Sequence, residues 1–83
     1  MSKKATNNVT IYSKDYCPYC KAAKRILQSR GIEYKEIDVE REPHKLAEML
    51  TRSKRRTVPQ IFFGDKHIGG HDDLVHYYSQ GGK

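Results

Sequence analysis

Hydrophobic periodicity alternates along this chain between period two and period 3.6, and that alternation restricts the fold more than any other feature. "NVTIYS" (Asn8 to Ser13) is rich in β-branched residues and reads as a strand. "CPYCKAAKRILQSR" follows, with Ala22, Ala23, Ile26 and Leu27 at helical spacing, Pro18 near the first helical position and Gly31 as a stop. "EYKEIDV" (Glu33 to Val39) alternates polar and apolar residues as a strand does. "REPHKLAEMLTRS" opens with Pro43 near a helix start and gathers Leu46, Met49 and Leu50 on one face. "PQIFFG" (Pro59 to Gly64) and "HIGG", joined near Gly64–Asp65, read as a β-hairpin. "HDDLVHYYS" (His71 to Ser79) has acidic residues suited to a helix N-terminus and stops before Gly81–Gly82.

The predicted order is therefore β-α-β-α-β-β-α, an α/β fold. The first βαβ unit implies a parallel strand pair with a right-handed crossover, and the hairpin adds an antiparallel pair. A mixed four-stranded sheet with helices on both faces is expected. Its core is expected to draw on Val9, Ile11, Ile26, Leu27, Ile37, Val39, Leu46, Leu50, Ile61, Phe63, Ile68, Leu74 and Val75.

Eighty-three residues suffice for one domain, 1–83, with residues 1–7 expected to form a flexible extension. The N-terminal stretch has lysines but no apolar run, so no secretory signal is expected, and no segment approaches the roughly 20 apolar residues of a membrane span. The formal net charge is +6, densest in "RSKRR" from Arg52 to Arg56. Such a balance suits nucleic acid, acidic protein partners or a small anionic ligand, or is plain solvated surface. No basic stretch interleaved with aromatics and no docking motif supports nucleic-acid binding.

The two cysteines, Cys17 and Cys20, stand two residues apart in "DYCPYCKAAKR". That spacing can provide half of a metal site, close a disulfide, or perform redox chemistry. A structural zinc site wants four ligands, and His44, His67, His71 and His76 lack the spacing to complete one. As a staple the pair closes too short a loop to constrain the unfolded chain, and a chain without a disulfide framework suits the cytoplasm, where thiols stay reduced. Redox chemistry fits best, because C-x-x-C at a strand-to-helix junction of a βαβ unit is the thioredoxin-like arrangement. Cys17 would sit at the helix N-terminus, where free backbone N–H groups and the macrodipole stabilise a negative sulfur, with Lys14 adding positive potential. Cys20, one turn further in, would lie deeper. Cys17 is thus the expected nucleophile and Cys20 the expected resolving thiol. Tyr19 beside them offers a hydroxyl and an apolar edge to a substrate.

With C-P-Y-C after a strand, "RTVPQIF" (Arg56 to Phe62) and "IGGHDDL" (Ile68 to Leu74), in that order and separation, the chain resembles the glutaredoxins, closest to their short bacterial dithiol class. The resemblance covers roughly Val9 to Tyr78. It implies a thioredoxin-like fold and glutathione-dependent reduction of protein disulfides and glutathione mixed disulfides. Glutathione would be the reducing co-substrate, and no tightly bound cofactor and no metal are implied. It implies a cis peptide before Pro59 that exposes the backbone of Val58 beside Cys17, so that an extended peptide can pair along Thr57, Val58 and Pro59. Gly69–Gly70 would let the backbone approach the ligand closely, the N–H groups at His71 and Asp72 would take the γ-glutamyl carboxylate of glutathione, and Asp72 or Asp73 its ammonium. Lys14 would face the glycyl carboxylate, with Arg56 and Lys45 as candidate helpers.

The protein partners implied are disulfide-containing or glutathionylated proteins, ribonucleotide reductase among them. No nucleic acid or membrane partner is expected, and the protein is expected to be a cytoplasmic monomer. Two departures from the family pattern stand out. His71 occupies a position where many relatives have a third cysteine, so regulation through that thiol is not expected. The chain also ends at "SQGGK", so a short last helix is expected. Two other readings remain: a carrier bridging a [2Fe–2S] cluster between two chains, disfavoured by the proline of C-P-Y-C, and a thioredoxin served by a flavoprotein reductase, disfavoured by the absence of a W-C-G-P-C tryptophan.

Overall fold

The computed structural model describes residues 8–81, so the extension expected at 1–7 lies outside the described residues. The elements follow the order read from the periodicity: β1 (Val9–Ser13), α1 (Pro18–Ser29), β2 (Tyr34–Asp38), α2 (Pro43–Ser53), β3 (Gln60–Phe63), β4 (Lys66–Gly69) and α3 (His71–Ser79).

Local chemistry sets the helix ends. Pro18 and Pro43 each occupy the first turn of their helices, where a missing N–H costs nothing. Helix α1 closes in a Schellman motif. Gly31 takes a left-handed φ of 71°, its N–H reaches the Gln28 carbonyl at 3.0 Å, and the Ile32 N–H reaches Leu27 at 3.0 Å. Helix α2 ends at Lys54, also left-handed with φ 61°. There the buried Ser53 hydroxyl donates to the Met49 carbonyl at 2.7 Å and accepts the Arg55 N–H at 3.0 Å, turning the chain sharply toward β3.

The sheet runs in the order β2-β1-β3-β4. β1 pairs parallel to β2, with Ile11 opposite Glu36, and antiparallel to β3, with Ile11 opposite Ile61. β3 and β4 form the expected hairpin around Gly64–Asp65, with a bulge at Ile68 between the pairs Ile61–Gly69 and Phe62–His67. One face of the sheet packs Val9, Ile11 and Ile61 on Ala23 and Leu27 of α1 and Leu74 of α3. The other packs Tyr12, Ile37 and Phe62 on Met49 of α2. The result is the thioredoxin-like α/β fold, with α1 and α3 on one side and α2 on the other.

Two-sided coverage corrects the expected core. Tyr12 and Phe62, placed outside it by their sequence setting, are completely or almost completely buried, because alternate residues of β1 and β3 face α2 rather than solvent. The buried Tyr12 hydroxyl is satisfied by donating to Glu48 and accepting from Arg52 at 2.8 Å. Val75, expected inside, is 45% exposed. Leu74 and Tyr78, four residues apart, supply the inward stripe of α3, and Val75 falls beside it.

Leu27→Ala should therefore lower unfolding stability in a urea titration by about 2–5 kcal/mol, whereas Val75→Ser should stay within about 0.5 kcal/mol of the parent.

Candidate active site

β1 ends at Ser13, and four residues later the backbone of Cys17 is still extended (φ −103°, ψ 112°) as the N-cap of α1. A helix start leaves its first N–H groups without backbone partners. Here the Cys17 sulfur fills the role usually taken by a serine or aspartate oxygen, accepting the Cys20 N–H at 3.2 Å. Cys17 is half-buried and Cys20 fully buried, and both are free thiols. The two sulfurs thus have different surroundings. Burial pushes the Cys20 thiol up to about 12, reinforced by its hydrogen bond to Cys17 and by the charge there.

The T-V-P segment reaches the same place through the sheet. Tyr12 at the end of β1 is opposite Gln60 at the start of β3. The segment before Gln60 therefore lies at the end of the sheet where Cys17 emerges. The Val58–Pro59 peptide is cis, and the Val58 carbonyl oxygen stands 3.8 Å from the Cys17 sulfur.

The third motif arrives through the hairpin. β4 runs antiparallel to β3, so its last residue, Gly69, returns beside Ile61 and the chain enters α3 at the same end. Gly69 has φ +120°, and a Cβ there would stand 2.3 Å from the Asp73 carboxylate, so only glycine fits. Asp73 accepts the Gly70 N–H at 2.9 Å, as the acidic half of a capping box, and the Arg55 guanidinium at 2.8 Å. Arg55 and then the Gly70 N–H hold the Asp73 carboxyl below the usual range. Asp72 is 97% exposed, with its Oδ1 3.0 Å from His71 Nδ1. The His71 ring in turn lies 5.6 Å from that of Tyr19.

These elements enclose a cleft of about 300 Å³ lined by Tyr19, Arg55, Thr57, Val58, Pro59, Gly70, His71, Asp72 and Asp73. Eight of the residues singled out in the sequence are brought together there. Lys14 and Arg56 are not among its lining residues, and Lys45 is engaged with Glu48 at 3.2 Å. Arg55 was not anticipated. It is one of several cations in "RSKRR", and only the left-handed turn at Lys54 and the partner Asp73 distinguish it. Among the described residues no group of three or more His, Cys, Asp or Glu side chains is arranged to hold a metal ion, and no helix is long and apolar enough to cross a membrane. Chemically, the arrangement presents one half-buried sulfur that caps a helix N-terminus, a second, fully buried thiol one turn behind it, and a polar cleft leading to a second helix N-terminus.

A family model described as glutaredoxin matches residues 9–68. The chain is 48% identical over 75 residues to glutaredoxin 3 of Escherichia coli K12, covering 90% of each chain. It is 45% identical to a glutaredoxin of Neisseria meningitidis, covering 89% of this chain and 88% of that one. Among solved structures, a buckwheat glutaredoxin–glutathione complex is similar with a TM-score of 0.82 and 34% identity, over 92% of this chain and 72% of that one. The solution structure of a Brucella melitensis glutaredoxin is similar with a TM-score of 0.78 and 44% identity, over 95% and 87%.

Reaction of the folded, reduced protein with iodoacetamide at pH 7 should add one carbamidomethyl group, on Cys17, and a second only after denaturation, as read by mass spectrometry. The Asp73 carboxyl, being depressed in the folded state, stabilises the fold above its unfolded value near 3.9, and that contribution is lost as pH falls through the folded value. Asp73→Asn should accordingly be less stable than the parent at pH 6, with the difference shrinking below about pH 4, where the unfolded parent's carboxyl begins to protonate, and vanishing below the depressed folded value.

Proposed function

The chain belongs to the glutaredoxin family of thiol-disulfide oxidoreductases, and from that premise we propose that it uses glutathione to reduce protein disulfides and protein–glutathione mixed disulfides, with Cys17 as nucleophile and Cys20 as resolving thiol. The observation that carries the reading is the Cys17 sulfur itself, which receives the Cys20 N–H at the start of α1 while standing 3.8 Å from the Val58 carbonyl at the cleft.

In the monothiol route the Cys17 thiolate attacks the glutathionyl sulfur of a mixed disulfide. A Cys17–glutathione disulfide forms and the protein thiolate leaves. A second glutathione thiolate attacks the glutathionyl sulfur, forming oxidised glutathione and restoring Cys17. In the dithiol route Cys17 attacks a protein disulfide, one protein thiolate leaves, and Cys20 attacks the Cys17 sulfur of the resulting mixed disulfide. The second protein thiolate leaves carrying the Cys20 proton, and two glutathione molecules return the Cys17–Cys20 disulfide to thiols. The contacts on Cys20 suit this order. Once Cys17 is in a mixed disulfide, its charge and its hydrogen bond no longer hold the Cys20 proton, and only burial still does. Cys20 is thereby easier to deprotonate at the step that needs it.

Glutathione fits the cleft by charge. Its γ-glutamyl carboxylate meets the N–H groups of His71 and Asp72 at the start of α3, the Gly70 N–H being taken by Asp73. Its ammonium meets Asp72, because Asp73 is already engaged by Arg55 and the Gly70 N–H. Its cysteinyl backbone pairs with Val58 between Thr57 and Pro59, against Tyr19, and Lys14 and Arg56 meet the glycyl carboxylate. The buckwheat relative's structure is of a glutathione complex, which supports the same ligand here. The reaction needs a reducing glutathione pool, which makes the cytoplasm its setting, and disulfide-containing or glutathionylated proteins its substrates.

Cys17→Ser should abolish every glutathione–disulfide exchange, while Cys20→Ser should keep deglutathionylation and lose protein-disulfide reduction. Both are read by coupling turnover to glutathione and glutathione reductase. Turnover with thioredoxin reductase in place of that pair, or substantial activity in Cys17→Ser, would overturn the reading.

A further inference from the structure

Behind the Thr57–Pro59 segment, on the α2 side of the sheet, lies a chain of polar side chains that the proposed chemistry does not use. Gln60 is the residue after Pro59 and is fully buried. Its Nε2 donates to the Thr57 carbonyl at 3.0 Å and to the Thr57 hydroxyl at 3.2 Å. Its Oε1 stands 2.7 Å from His67 Nε2. A buried amide this short of alternatives has its orientation dictated by its neighbours. The Thr57 carbonyl can only accept, so the Gln60 amide nitrogen must face it and the Gln60 oxygen must face His67. His67 Nε2 must then carry a proton and donate. The ring is fixed for that task. His67 is opposite Phe62 across the hairpin and stacks on it at 4.8 Å and 27°, while the Arg52 guanidinium packs on the same Phe62 ring at 3.9 Å.

We propose that His67 and Gln60 are positioning residues, a two-link relay that holds the Thr57–Pro59 turn, and with it the Val58 backbone, at the height where a bound cysteine meets Cys17. The inference rests on the proposed function, since the position of Val58 matters to turnover only if the turn receives substrate. It goes beyond it by assigning substrate alignment to a strand, β4, that lines no part of the cleft. The relay is asymmetric. His67 donates to Gln60, Gln60 donates to Thr57, and each link uses up the group that would otherwise be buried without a partner. Burial first, and then the neighbouring Arg55 and Arg52 charges, with Asp73 opposing, keep His67 below the ordinary imidazole range. At neutral pH the donor is therefore a neutral ring in its Nε2–H tautomer. Without the relay the turn remains tied at Gln60 through the strand pairing with Tyr12, but Thr57 loses its two side-chain anchors and Val58 is free to shift.

The test has two arms. In the unaltered protein, nitrogen-15 NMR of His67 should show the Nε2–H tautomer at pH 7, and a neutral Nδ1–H tautomer overturns the relay whatever the enzyme's activity. In the second arm, His67→Phe keeps the stack on Phe62 and removes the donor, and Gln60→Met keeps the volume and removes both links. Each should raise KM for a glutathionylated peptide by about three- to ten-fold with kcat within about two-fold, the range expected when one or two hydrogen bonds that align bound substrate are lost. The double variant should be no worse than Gln60→Met alone, because both act through one chain. Unchanged KM despite a lowered melting temperature, or additive effects, would mean an ordinary structural role and overturn the proposal. The Val58 amide resonance should also move in Gln60→Met, a signal that needs no turnover. If the unaltered protein fails to turn over with glutathione, only the functional reading falls, and the tautomer and the Val58 resonance still decide the relay.

Discussion

The antiparallel pairing of β1 with β3 is the constraint on which the site depends. β1 delivers Cys17 beyond its C-terminal end, and β3 receives the chain from Pro59 at its N-terminal end. Only an antiparallel neighbour puts those two ends together. β4, antiparallel in turn to β3, brings Gly69, Gly70 and the start of α3 to the same edge. Three segments separated by some 40 and then 10 residues in the chain so converge on one cleft. The pairing holds because both faces of the central strands are buried, Ile11 and Ile61 against α1 and α3, Tyr12 and Phe62 against α2. Apolar burial on both sides leaves little freedom for a register slip, since a shift by one residue would exchange the two faces at once.

Within that frame the two cysteines differ through position alone. One thiol caps a helix, half-buried beside the Val58 carbonyl, and the other is one turn inside and sealed from water. Helix α3 repeats the theme with a different cap. Asp73 is committed to the Gly70 N–H and to Arg55, which pins the wall of the cleft and leaves Asp72 at the surface. Of two adjacent acidic residues, the backbone of α3 selects one as structural and leaves the other outward-facing. The same logic extends behind the turn, where the Gln60 amide is oriented by the Thr57 carbonyl and the ring of His67 by Phe62.

Much of this was legible in the one-dimensional pattern. The alternation of periods specified seven elements in order, because a helix stripe and a strand face repeat at different intervals. Pro18, Pro43 and Gly31 marked helix ends by backbone chemistry that acts locally. Cys17, Cys20, the T-V-P segment and the G-G-H-D-D segment were recognisable as residue types in spacing. Less legible was anything that depends on which side of an element faces which neighbour. Val75 and Leu74 are adjacent apolar residues with opposite fates. Tyr12 and Phe62 looked peripheral until α2 covered the second face, and Arg55 was one cation among five residues of basic sequence until Asp73 selected it.

The sequence by itself determined the order of elements, the helix starts at Pro18 and Pro43 and the place of Cys17 ahead of a helix, since each follows from propensities acting within a few residues. The tertiary structure alone decided the partners: Val58 for Cys17, Arg55 for Asp73, His67 for Gln60. Those contacts join residues 7 to 41 positions apart. They exist only because sheet order and two-sided burial fold distant segments onto one edge, a choice made by the summed packing of the whole core rather than by any local stretch.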